Sequence, residues 1–175
     1  EHRFHISSRS LKSHENGSKI LQFEVILEPG RVIAGNAGVL IAEALFTKPA
    51  PKRTFLIVDA GMNDLMRPAL YQAHHDILPL EERPDSTEQI NYDVVGPICE
   101  STDKFATERP LPVIRPGERL AFMSAGAYGA VLSSQYNARP LVAEVLVDGD
   151  KYAIVRRRPT FDEMIALETT PDWLT

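Results

Sequence analysis

Between residues 38 and 158 the chain runs as short apolar stretches cut apart by proline and glycine, and this punctuation limits what it can fold into. The sequence holds 13 prolines and 10 glycines, too many for long helices. Strands are expected to begin over 39–46 and to occupy 54–60, 92–95 and 120–125. The segment 47–53, with Pro49 and Pro51, reads as a connection, and 54–60 is apolar enough for burial on both faces. The clearest hairpin places Asp148-Gly149-Asp150 between 141–147 and 152–156. Helix is expected only locally, where Pro68 suits a first turn and where Thr160 with Glu163 matches a capping box. Residues 74–86, acidic and broken by proline, read as a surface loop. The pattern points to a mainly β chain, an antiparallel sandwich or barrel with little helix.

Length and charge narrow the function classes. A chain of 175 residues accommodates one domain, or one domain with a fragment of another. A net charge of -5 supplies no basic patch, which argues against nucleic acid as a partner. No apolar run approaches the roughly 20 residues of a membrane span. The single cysteine excludes an internal disulfide and suits a reducing compartment, so a cytoplasmic location is expected. Residues 1–19 are polar and aperiodic and read as disorder or poorly packed coil. His2, His5 and His14 lack a compact ligand spacing, so no metal site is expected. The start at Glu1 rather than methionine fits the trailing piece of a longer protein.

Four stretches carry possible chemistry. Gly96-Pro97 ends a strand and delivers Cys99 and Glu100 onto a loop, where functional groups concentrate; the alternative is a small buried hydrophobe. In Glu28-Pro29-Gly30-Arg31 a glycine permits close backbone approach and a guanidinium offers a fork for carboxylate or phosphate, although the same residues make an ordinary turn. Arg67 and Tyr71, four apart, fall on one side of a helical turn. In Gly126-Ala127-Tyr128-Gly129 the glycines clear space around Tyr128, which is either a ligand contact or a structural tyrosine.

Together Glu28-Pro29-Gly30-Arg31, Arg67-Pro68-Ala69-Leu70-Tyr71, Gly96-Pro97-Ile98-Cys99-Glu100-Ser101 and Ala125-Gly126-Ala127-Tyr128-Gly129 occur in the order found in the diaminopimelate decarboxylases, which the chain resembles over residues 21–168. Val58-Asp59-Ala60-Gly61-Met62-Asn63-Asp64 and Arg157-Arg158-Pro159-Thr160 resemble further family segments. That family joins a TIM-type barrel, which carries the cofactor lysine, to a C-terminal β domain of the alanine racemase-like type. The resemblance implies that residues 20–37 are the remnant of the barrel, including its last strand, and 38–175 the β domain. It implies pyridoxal 5'-phosphate as cofactor, held near Glu28, Pro29, Gly30, Arg31 and Tyr128. It implies a substrate, meso-diaminopimelate, met by Arg31, Arg67, Tyr71, Glu100 and Tyr128. Cys99 would be the proton donor, supplied across a homodimer interface. The larger part of the barrel, with the cofactor lysine, lies outside the resemblance, so the isolated chain is expected to be inactive. Two other readings stay open: a decarboxylase for ornithine, arginine or carboxynorspermidine, and a non-catalytic dimerisation remnant.

Overall fold

The computed structural model describes residues 28–84 and 86–174. The disorder expected over 1–19 and the first part of the barrel remnant expected over 20–37 lie outside the described residues. Helix α1 (Arg31–Ala34) runs into a 3-10 turn and then into strand β1 (Leu40–Ala50). Strand β2 (Arg53–Val58) follows a tight turn, so β1 extends through Pro49 and occupies most of the stretch read as a connection. The crossover to the next long strand carries helix α2 (Arg67–Tyr71) and the short strand β3 (Ile77–Pro79). Strands β4 (Gln89–Val95), β5 (Lys104–Pro112) and β6 (Arg119–Phe122) complete a six-stranded sheet in the order β3-β6-β1-β2-β4-β5.

The expectation of an antiparallel sheet needs one correction. Four pairings are antiparallel, but β2 and β4 run parallel, with Leu56 opposite Val94. A parallel pair cannot be closed by a tight turn, and the segment 59–88 supplies the crossover. β1 serves two partners, pairing through Leu40–Glu43 with β6 and through its second half with β2. The sheet curls on itself, and Phe105 of edge strand β5 meets Phe122 of β6 with ring centroids 4.7 Å apart. Inside the curl Ala42, Ala44, Leu56, Val58, Tyr92, Val94, Leu120 and Phe122 form the core. Their spacing of two along each strand is the period of one sheet face.

Two further corrections concern loops. Residues 74–86 are not simply a surface loop: His75 and Ile77 are buried, and β3 lies beside β6. Residues 104–112, not recognised as a strand, form β5 with Pro110 opposite Asn91 and Pro112 opposite Gln89. β5 is the edge of the sheet, where proline's missing N–H is tolerated. The hairpin of β7 (Glu144–Asp148) and β8 (Lys151–Arg156) forms as expected, with Gly149 at φ +59, but as a separate two-stranded sheet. Helix α3 (Phe161–Ile165) carries the full Thr160–Glu163 capping box.

Candidate active site

Two loops are brought together by a backbone contact that only glycine allows. The N–H of Gly126 donates to the Gly35 carbonyl at 3.0 Å, and that of Ala125 to Gly38 at 2.8 Å. A Cβ on Gly126 would overlap the Ala34 carbonyl oxygen and lie 2.6 Å from the Gly38 nitrogen. The segment ending β6 therefore rests on the turn following α1, and Tyr128 reaches back over Gly30. A Cβ on Gly30 would stand 3.3 Å from the Tyr128 hydroxyl. Tyr128 holds φ at 58°, an uncommon value for a bulky residue, which aims its ring into this space.

Arg31, in the first turn of α1, donates from Nη2 to the Ser124 carbonyl at 3.1 Å, and the Ser124 hydroxyl donates to Asn36 Oδ1 at 2.7 Å. Arg67 arrives on α2, whose first turn contains Pro68 and whose end is capped by Gln72 in the left-handed conformation. Its guanidinium lies between two phenol rings, with Cζ 5.8 Å from the Tyr71 centroid and 5.9 Å from that of Tyr128. Of the residues the resemblance implies, Gly30, Arg31, Arg67, Tyr71 and Tyr128 lie near one another, while Glu28 and Pro29 are exposed and lead into Gly30. Among the described residues Arg53, Arg83, Arg109, Arg139, Arg156 and Arg157 each have a carboxylate partner, whereas Arg31 and Arg67, like Arg115, Arg119 and Arg158, have none. Two guanidiniums without a carboxylate partner among the described residues, together with a phenol hydroxyl, make a receptor for carboxylate or phosphate.

His75 was missed at the sequence level. It is 2% exposed, and its Nδ1 lies 2.8 Å from the Met123 carbonyl oxygen. Burial pushes its pKa below 6.5, the charges of Arg67, Arg31 and His74 push the same way, and the bond to Met123 opposes them. The ring is therefore neutral beside the two arginines.

Cys99 and Glu100 form a second group. The loop 96–103 closes through a bond from the Gly96 N–H to the Asp103 carbonyl, and the buried Asp103 carboxylate accepts from Ile98 N–H at 2.7 Å and Met62 N–H at 2.6 Å. Burial raises the Asp103 pKa, with Asp64 adding to the effect, while those two N–H donors and Arg139 oppose it. A Cβ on Gly96 would strike this carboxylate and fall 2.7 Å from the Ala60 carbonyl. Cys99 is free and exposed, which rules out the buried-hydrophobe alternative. The Glu100 carboxylate accepts from the Tyr136 hydroxyl at 3.4 Å. Tyr136 is positioned by a loop anchored on buried Asn63, whose Oδ1 accepts from Arg139 Nε at 3.0 Å. Among the described residues no hydrogen bond or ion pair joins this group to Arg31 or Arg67.

The chain is 52% identical over 146 residues to the diaminopimelate decarboxylase of Vibrio cholerae, an alignment covering 83% of this chain and 34% of that protein. Diaminopimelate decarboxylase from M. jannaschii, solved with L-lysine, superposes with a TM-score of 0.80 at 36% identity, covering 87% of this chain and 34% of that one. The Helicobacter pylori enzyme, also complexed with L-lysine, gives 0.73 at 42% identity, over 81% and 34% of the two chains. This chain thus spans about a third of the length of the curated relatives it matches. Residues 7–126 match the family described as the C-terminal sheet domain of pyridoxal-dependent decarboxylases, and the chain belongs to that family.

Proposed function

We propose that this chain is the sheet-domain share of a diaminopimelate decarboxylase, which converts meso-2,6-diaminopimelate to L-lysine and carbon dioxide at the last step of lysine biosynthesis. The observation that carries the reading is the pair of guanidiniums, Arg31 and Arg67, gathered with Tyr128 and left without a carboxylate partner among the described residues. The far end of diaminopimelate bears a carboxylate and an ammonium. Ornithine and arginine have no carboxylate there and would leave two cations uncompensated, so this site favours the twin-headed substrate. In this reading residues 20–37 belong to the end of the barrel and 38–175 to the sheet domain.

Pyridoxal phosphate, when bound, supplies the electron withdrawal that lets an α-carbon release carbon dioxide. The residues present fit its phosphate: Gly30 leaves the backbone open, the Tyr128 hydroxyl lies directly over it, and Arg31 adds positive charge. Arg31 and Arg67 hold the distal carboxylate, Tyr71 donates beside them, and Glu100 accepts from the distal ammonium. The Cys99 thiol gives its proton to the carbon that has lost carbon dioxide. Cys99 and Glu100 make no hydrogen bond or ion pair with Arg31 or Arg67 among the described residues, and in keeping with the family resemblance we assign them to the site of a second copy in a homodimer. A cytoplasmic location accompanies this reading, in keeping with the exposed free thiol.

The test uses the complete protein. Arg67→Ala is expected to weaken diaminopimelate binding by about 10-fold to 100-fold, the worth of a charge-assisted hydrogen bond, and to leave cofactor affinity nearly unchanged. Equal substrate affinity by titration refutes the assignment. A panel including ornithine and arginine separates the alternative decarboxylases.

A further inference from the structure

Three buried nitrogens of the arginine site stand without partners among the described residues: Nε of Arg31, Nε of Arg67 and Nε2 of His75. The first two are donors by chemistry. The third is defined by the opposite edge of its ring. A carbonyl only accepts, so the 2.8 Å contact with Met123 requires a proton on His75 Nδ1, and in the neutral ring Nε2 is then an acceptor. A guanidinium that grips a carboxylate with its two terminal nitrogens still needs an acceptor for its Nε–H inside the protein. Arg67 and His75 belong to one short stretch of chain, joined through the cap at Gln72, and the charges of Arg67 and Arg31 both act on the ring. Arg31 already spends a terminal nitrogen on the Ser124 carbonyl.

We propose that His75 is a positioning residue for Arg67: when a ligand carboxylate occupies the terminal nitrogens of Arg67, His75 Nε2 accepts its Nε–H and fixes the plane of the guanidinium. This rests on the reading of Arg67 as a carboxylate binder. His75 also ties α2 to the end of β6, so one ring holds Arg67 and the Met123–Tyr128 segment in register. Protonation would abolish the acceptor. It would also add a third positive charge facing Arg67 of α2, Arg31 of α1 and neighbouring His74, with only the Met123 carbonyl of the β6 end to receive it.

His75→Asn in the complete protein keeps a short donor for Met123 and removes the Nε2 acceptor. It is expected to raise KM for diaminopimelate about tenfold while kcat stays within about threefold. The wild-type KM is expected to rise as pH falls below 6.5, and the variant's to lose that dependence. Nitrogen NMR of the unmutated protein gives a readout independent of folding of the variant: a proton on Nδ1 at neutral pH, with the Nε2 resonance shifting when diaminopimelate is added. A proton on Nε2, or a charged ring at neutral pH, overturns the proposal. So does an unchanged KM in folded His75→Asn. If Arg67→Ala also binds substrate normally, the reading of the site falls; if Arg67→Ala loses affinity while His75→Asn does not, only the role of His75 falls.

Discussion

At Gly126 a single hydrogen atom in place of a side chain decides whether two loops can meet. Its α-carbon is pressed against the turn after α1, and the obstacles to a methyl group are backbone atoms that cannot swing aside. Gly126→Ala is therefore expected to cost about 1–3 kcal/mol, typical of forced overpacking, and to separate Tyr128 from Gly30. Chemical denaturation reads the first effect, and cofactor titration of the complete protein reads the second. An alanine variant with unchanged denaturation midpoint would show that the loops are free to part. In the sequence the glycines around Tyr128 read as space cleared for a ligand, not as the meeting of two loops. His75 gave no notice, because the carbonyl at 2.8 Å that fixes its ring and the Arg31 charge come from chain distant from it.

Elements with local causes were the legible ones. The Asp148-Gly149 turn specifies its hairpin, the Thr160–Glu163 box specifies the start of α3, and Pro68 marks the first turn of α2. Strands β3 and β5 were not legible. The first has three residues, and the second carries prolines that only an edge position excuses. The α3 cap also makes a pH prediction. Glu163 is held at a pKa of about 2, first by the Arg157 side chain and then by the Thr160 N–H. Its folded pKa is depressed, so its support is complete above its ordinary 4.5 and fades as pH falls from 4.5 toward 2. Protection of the α3 amides, taken relative to their intrinsic exchange rates, is expected to fall across that window in the wild-type protein but not in Glu163→Gln. Identical profiles would dismiss the carboxylate as the anchor.

For the whole molecule, the division of the candidate site into an arginine group and a cysteine group makes subunit mixing informative. Assayed at substrate well below the raised KM of Arg67→Ala, the Cys99→Ala and Arg67→Ala complete proteins are each expected to be nearly inactive. Mixed and reassembled as dimers, they should recover about a quarter of wild-type activity, since half the dimers would hold one intact site. No recovery, with exchange verified by mass, would place both groups in one subunit. Hydrophobic pattern revealed strands without revealing their direction, so the parallel pairing of β2 and β4 was out of reach. That pairing has a kinetic and thermodynamic corollary. Arg67 and His75 ride on the very excursion that must be drawn tight before β4 can lie beside β2, and its closing entropy precedes any reward from the ladder. A molecule that ties Arg67 to Arg31 and Tyr128 acts as a clasp on that excursion, so occupancy by substrate or product doubles as protection against unravelling.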